Sequence, residues 1–301
     1  MSTAFGATTT WTDGTSSWFT STNWDHGEPD TSTDAQINNG GTAQIITDVP
    51  QAVALSLTLA LNSDQSGTVQ VSAPHGGLSV GQAIFVGYRG KGNLAVTDGD
   101  SVSSATASIG SLTNAPLPPS HGSVTLNGGG LWTVTGRFDV GGYNNTPGGV
   151  ALLSVTNGST VSAGSVRVYN SGTLMGDGTI STTSGITVDG TISRTAGTLT
   201  ISGGLSLTSA ATTQCSVTPQ DLNTVDVSVS GAATLTGRVS VTMTGTFTPC
   251  TQFTLLHATG GVLGTFQTQS INYPQGQGFI PVITYDANNV YLHLESSNGC
   301  H

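Results

Sequence analysis

The chain has 301 residues, six of them lysine or arginine and sixteen aspartate or glutamate, for a formal net charge of −10. One lysine, Lys91, and five arginines cannot build a phosphate-tracking surface, which argues against nucleic-acid binding and adhesion to anionic membranes; no apolar run approaches the roughly 20 residues of a spanning helix, so no membrane insertion is expected. Charged residues are only 7% of the chain and 42 residues are glycine, yet Val, Ile, Thr and Leu recur at strand-like spacings, which points to an ordered all-β protein rather than a disordered one.

Residues 1–5 (MSTAF) carry neither a basic nor an apolar leader segment, so a signal peptide is expected to be absent or already removed. Residues 1–50 hold three of the four tryptophans, Trp11, Trp18 and Trp24. An open solenoid end exposes strand edges and core, so this segment reads as an N-terminal cap. A sugar-stacking platform is the alternative, and in an end-to-end fibre the same tryptophans would dock on a neighbour. Asp25, His26, Glu28 and Asp30 form the densest polar cluster, which reads as a solvated loop rather than a metal site.

Periodicity dominates residues 51–207. Leu55, Leu57, Leu59 and Leu61 alternate with smaller or polar residues, as a half-buried strand does, and Thr68-Val69-Gln70-Val71 repeats the alternation. Val or Ile followed by glycine recurs at Val86, Ile109 and Val140, with Val168 as a degenerate fourth, at intervals of 23, 31 and 28 residues (86 to 109, 109 to 140, 140 to 168). Periods of 20 to 50 residues mark solenoids. One coil of short strands cannot bury its apolar side chains, whereas stacked coils enclose a narrow dry core. A sandwich also has short, regularly spaced strands, but the repeats favour a right-handed parallel β-helix. Residues 208–301 read as a less regular, antiparallel terminus.

Residues 172–207 are more specific. Gly172-Thr-Leu174-Met-Gly176-Asp-Gly178-Thr179-Ile180 precedes Ile186-Thr-Val188-Asp-Gly190-Thr-Ile192 and Gly197-Thr-Leu199-Thr-Ile201. This order resembles the C-terminal part of bacterial autotransporter passenger domains, and residues 86–170 resemble repeats shared by type V secretion passengers and PEP-CTERM surface proteins. Phe253–Leu256, Gly264–Phe266 and Ile283–Leu292 are similar to a passenger terminus. The resemblance implies a secreted or surface-displayed β-helix, here without the membrane barrel into which autotransporters continue.

None of the three cysteines forms a CxxC pair. Cys215 and Cys250 flank the predicted antiparallel region and are expected to form a disulfide, which implies an oxidising compartment; two buried free thiols are the alternative. Cys300 is then free or pairs with another chain.

Catalytic chemistry is sparse. Asp98 and Asp100 sit two apart and could form a carboxylate pair for hydrolysis or calcium, although Asp-Gly is also an ordinary turn dipeptide. Asp139, Asp177, Asp189, Asp221 and Asp226 are scattered singly, and neither HExxH nor GxSxG occurs. No catalytic, cofactor or metal site is assigned. The expectation is a non-enzymatic, extracellular or cell-surface structural or adhesive β-solenoid, self-associating end to end through its tryptophans or the strands around 282–294. The alternatives are a polysaccharide-degrading β-helix and a glycan-binding adhesin that uses Tyr88, Tyr143 and Tyr169.

Overall fold

The computed structural model describes residues 7–46, 51–72, 76–113, 119–296 and 299–300. The leader reading at residues 1–5 lies outside them. The described chain is a parallel β-solenoid of about ten turns, with antiparallel strands near the C-terminus. Each turn presents up to three strands, which stack on those of neighbouring turns as three faces. Face one contains eleven strands, from Thr15–Ser17 to Thr268–Asn272. Face two runs from Ala52–Ala54 through Leu78–Val80 to Gln252–Ala258. Face three runs from Ala7–Thr10 through Ala83–Val86 and Thr106–Ile109 to Val262–Gly264. Parallel pairing thus begins at residue 7, so the tryptophan-rich segment contributes coils of its own.

The recurring Val/Ile markers form one column of this stack. On face three Leu59 pairs with Val86, Val86 with Ile109, Ile109 with Val140 and Val140 with Val168. All are buried. The glycine that follows the marker turns the chain toward face one. Gly87 and Gly110 hold φ of +72° and +61°, and a Cβ there would come within 2.1 Å of the His121 carbonyl oxygen and 2.5 Å of the Val150 carbonyl oxygen. These corners need the left-handed conformation and the missing side chain together. In the coil before, Ala60 takes the same corner at φ +60°. The corner therefore ends the strand Ser56–Leu59, and the leucine alternation runs past it at Leu61.

The core is a strip of inward side chains in register. Its bulkiest member away from the ends, Trp132, stacks between Val102 and Val161 on face two, packs at 4.7 Å on Phe138 and donates Nε1–H to Ser104 Oγ at 3.2 Å. Small residues stand opposite its neighbours in adjacent coils, Ser104 and Ala163 opposite Val134, and Ala107 opposite Phe138.

The two ends close differently. At the first coil Trp11, Trp18 and Trp24 pack edge to face, with Trp24 central at 5.0 and 4.9 Å from the others, and Trp24 Nε1–H donates to the Trp18 carbonyl. All three are buried, so they cover the core and leave no indole face for a neighbouring molecule. At the last coil the strand Asn289–Ser296 pairs antiparallel with Gln252–Ala258, and Phe279–Tyr285 pairs antiparallel with it in turn.

The disulfide differs from the sequence expectation. Cys250 bonds to Cys300, with Cα atoms 5.6 Å apart, and Cys215 is a free buried thiol. The region between Cys215 and Cys250 is parallel: Thr212–Val217 pairs in register with Arg238–Met243, which places Cys215 opposite Val241 in the inward column of face one. Cys250 lies instead at a corner, where its N–H donates to the Leu294 carbonyl of the last strand. The bridge therefore fastens the terminal strand to the coil that it covers.

Candidate functional site

Outward side chains of face three gather most of the external chemistry. Phe85, Ser108, Asp139 and Arg167 occupy one register column in successive coils. A hairpin lies over it, made of Gly142–Tyr143 paired with Thr146–Pro147. Its two tip residues, Asn144 and Asn145, hold φ of +48° and +67°. Successive positive φ values define the tight hairpin turn that asparagine tolerates best after glycine.

Polar contacts pin this hairpin down. Asn144 N–H donates to Asp139 Oδ2 at 3.1 Å, Arg137 Nη1 donates to Asn145 Oδ1 at 2.7 Å, and Ser108 Oγ donates to the Gly142 carbonyl at 2.7 Å. Arg137 Nε donates to Asp139 Oδ1 at 2.5 Å, and its Nη2 donates to the Tyr169 hydroxyl. Tyr169 lies beneath, buried, with the guanidinium carbons of Arg137 and Arg167 6.0 and 5.0 Å from its ring centre. Burial, followed by the charge of Asp139, pushes its phenol pKa up. Arg167 in turn binds Asp189 Oδ2 through Nε and Nη2 at 3.0 and 2.9 Å.

Between hairpin and sheet lies a cleft of about 180 Å³, lined by Thr106, Ala107, Arg137, Asp139, Tyr143 and Asn144. Beside it Phe85 packs edge to face against Tyr143 at 5.2 Å and Tyr88 at 5.1 Å. Tyr143 is 38% exposed. Of the three tyrosines expected on the surface, Tyr143 and Tyr88 thus share one aromatic strip, while Tyr169 is a buried support. Arg137, Asn144 and Asn145 escaped sequence reasoning. The available signal was Gly-Gly-Tyr-Asn-Asn-Thr-Pro-Gly at 141–148, turn chemistry dense enough to mark a hairpin inserted at a solenoid corner.

A second arginine cluster lies inside. Arg194 follows the face-one strand Thr191–Ser193, and its Nε lies 2.6 Å from Asp226 Oδ1, with the two side chains 4% and 3% exposed. Its Nη2 lies 2.9 Å from Asp221 Oδ1 and donates to the Ser216 carbonyl at 2.6 Å. Burial raises the Asp226 carboxyl to about 7, against the opposing pull of Arg194. Burial also acts upward on Asp221, but hydrogen bonds from Thr218 and Arg194 outweigh it and hold that carboxyl below its ordinary value. Burial, then Asp226, pushes the Cys215 thiol well up. A thiol so held is a poor nucleophile, and the cluster serves packing between faces one and two.

The remaining sequence candidates do not converge. Asp98 and Gly99 form a turn with φ of +59° and +80°; it leaves Asp98 exposed and Asp100 buried, so the two carboxylates do not share a site. In the 25–30 segment the carboxylates fasten turns: Asp25 accepts from Thr10 N–H at 2.6 Å, and Asp30 accepts from Ser32 and Thr33. Among the described residues no group of three or more His, Cys, Asp or Glu is placed to hold a metal ion.

Fold and cleft together define a disulfide-tied parallel β-solenoid with a polar, aromatic-flanked cleft on its side. No family model matches the chain, and no curated protein matches it in sequence.

Proposed function

We propose that the chain is a secreted or cell-surface adhesive scaffold, a rigid column of coils that presents binding chemistry on its flank and turns over no substrate. The observation that carries this reading is the cleft between the Gly142–Pro147 hairpin and face three, where aromatic and paired polar groups meet on a rigid sheet. Support for an extracellular setting comes from the passenger-like order of residues 172–207 and from the Cys250–Cys300 bridge, since structural disulfides persist in oxidising compartments. The separation of Asp98 from Asp100 weakens the case for a polysaccharide-cleaving pair.

The test is to incubate the purified protein with a panel of surface polysaccharides and measure both retention and chain length. Retention with unchanged chain length is expected. Shortened chains would replace the adhesive reading by the degrading one, and a lack of retention on every surface would remove it.

End-to-end association is the second reading. It is favoured by the outer edge of Phe279–Tyr285, which pairs on one side only among the described strands, and by the 58% exposed Ile280 on that strand. Exposed strand edges template further pairing. Electron microscopy of native material separates filaments from single columns.

A further inference from the structure

We infer that the face-three cleft is a binding site for a neutral, hydroxyl-rich sugar chain that lies along the solenoid axis. The inference deepens the adhesive reading and rests on it.

Three observations meet here. The first is shape. A cleft of about 180 Å³ is below the ~300–1,000 Å³ of pockets that enclose drug-sized ligands, so it seats one ring of a longer chain rather than a whole small molecule. The second is direction. Phe85 and Asp139 stand in the same outward column with Ser108 between them, so the aromatic strip of Tyr88, Phe85 and Tyr143 leads out of the cleft across neighbouring coils. Coils rise by about 4.8 Å, close to the length of one sugar ring, so the rise from Phe85 through Ser108 to Asp139 matches about two rings of an extended glycan. Aromatic faces provide apolar surface with fixed geometry for the C–H face of a pyranose.

The third observation is polar chemistry and charge. Arg137 has five N–H donors in a planar fork, three of them engaged by Asp139, Asn145 and Tyr169. Asp139 is only 3% exposed and its oxygens accept from Arg137, Asn144 and Tyr169, so it holds the guanidinium and the hairpin in place beneath the cleft. The fixed planar fork of Arg137 beside the exposed side chains of Asn144 and Asn145 suits adjacent hydroxyls, which both donate and accept. The two arginines are balanced by Asp139 and Asp189 at 2.5 and 2.9 Å, and the whole chain carries −10. In the cleft a polyanionic glycan therefore meets arginines already paired with carboxylates, which favours neutral sugars.

The experiment titrates the intact protein with neutral and uronate-containing oligosaccharides of four to eight rings, followed by calorimetry. Neutral oligosaccharides are expected to bind, and Tyr143→Ala to weaken them by about ten-fold or more, the effect of removing an aromatic anchor. Tyr143→Trp keeps the platform and should retain binding. Tyr143 is partly exposed, so both variants are expected to melt with wild type, which separates lost binding from lost fold. Neutral binding that is indifferent to Tyr143→Ala overturns the site and leaves the adhesive reading intact. Preference for uronate chains overturns the ligand class. If the protein adheres to cell surfaces but binds neither set, the inference fails while adhesion stands; if it adheres to nothing, both fail.

Discussion

The two arginine clusters are built from the same parts and behave as opposites. Inside the solenoid, Arg194 shares its charge between Asp226 and Asp221, with a thiol alongside. Outside, Arg137 and Arg167 flank Tyr169 and pair with Asp139 and Asp189, their side chains 28% and 37% exposed. The inner arginine meets little water, so every unmet hydrogen bond or charge there costs the full desolvation of that group. The outer arginines keep part of their hydration, although the Asp139 side chain beneath Arg137 is only 4% exposed, so the Arg167–Asp189 pair is the one expected to contribute least to stability. Burial, more than residue type, decides whether an Arg–Asp pair fixes a fold or offers a surface.

Breaking the inner cluster should produce the largest effect. Arg194→Ala strands Asp226 and is expected to lower unfolding free energy by about 3–5 kcal/mol in urea denaturation. Replacing the pair together, Arg194→Met with Asp226→Leu, should recover most of that loss; a double variant as unstable as the single one would show that the charges themselves hold the coils. The bridge at the C-terminal end serves as a yardstick away from both clusters. Cys250→Ser opens a closure spanning 50 residues and should cost about 2–4 kcal/mol. Alkylation after mild reduction should label Cys250 and Cys300 and spare Cys215.

A pH series sharpens the contrast without mutation. The folded-state pKa of Asp226 is raised to about 7, against about 4 in an unfolded chain, so the folded protein holds an extra proton between those values. Stability from this group is fully present below about pH 4 and is lost as pH rises to about 7. The melting temperature should be higher at pH 5 than at pH 8, and Asp226→Asn should flatten the difference; a wild type that gains stability over that range contradicts the assignment. The smallest effect belongs outside. Arg167→Ala, at a partly exposed pair, is expected to change unfolding free energy by only about 0–1 kcal/mol, and a loss as large as that of Arg194→Ala would erase the distinction between the clusters.

What was legible in the sequence follows from this geometry. The markers at 86, 109, 140 and 168 were readable because they share one inward column, and stacking demands the same residue type at each level. The corner glycines announced themselves through conformations that other side chains resist. The cysteine pairing was not legible. Coils vary from 18 residues (Thr173 to Thr191) to 31 (Ile109 to Val140), so separation along the chain does not tell which corner faces which strand. Arg194 and Asp226 meet for the same hidden reason, one just after a face-one strand and the other on a face-two strand. The cleft was half legible: Tyr88 and Tyr143 stood out as aromatics after glycine corners, but Asp139 read as one isolated acid among several, because two of its three partners, Asn144 and Tyr169, arrive from an inserted hairpin and from the next coil.

The antiparallel strand at the C-terminal end has a consequence for how such a molecule changes length. A coil added after Gln252–Ala258 would have to displace Asn289–Ser296, which occupies that edge and is itself paired on its far side by Phe279–Tyr285, and a coil added before Ala7–Thr10 would displace the tryptophan cluster. Coils in the middle meet only their neighbours, through like columns above and below. Duplication or deletion within the stack can therefore lengthen or shorten the column one rung at a time while both lids stay as they are. The length of the column is then an adjustable dimension, set by the number of interior coils and independent of the chemistry on its flank.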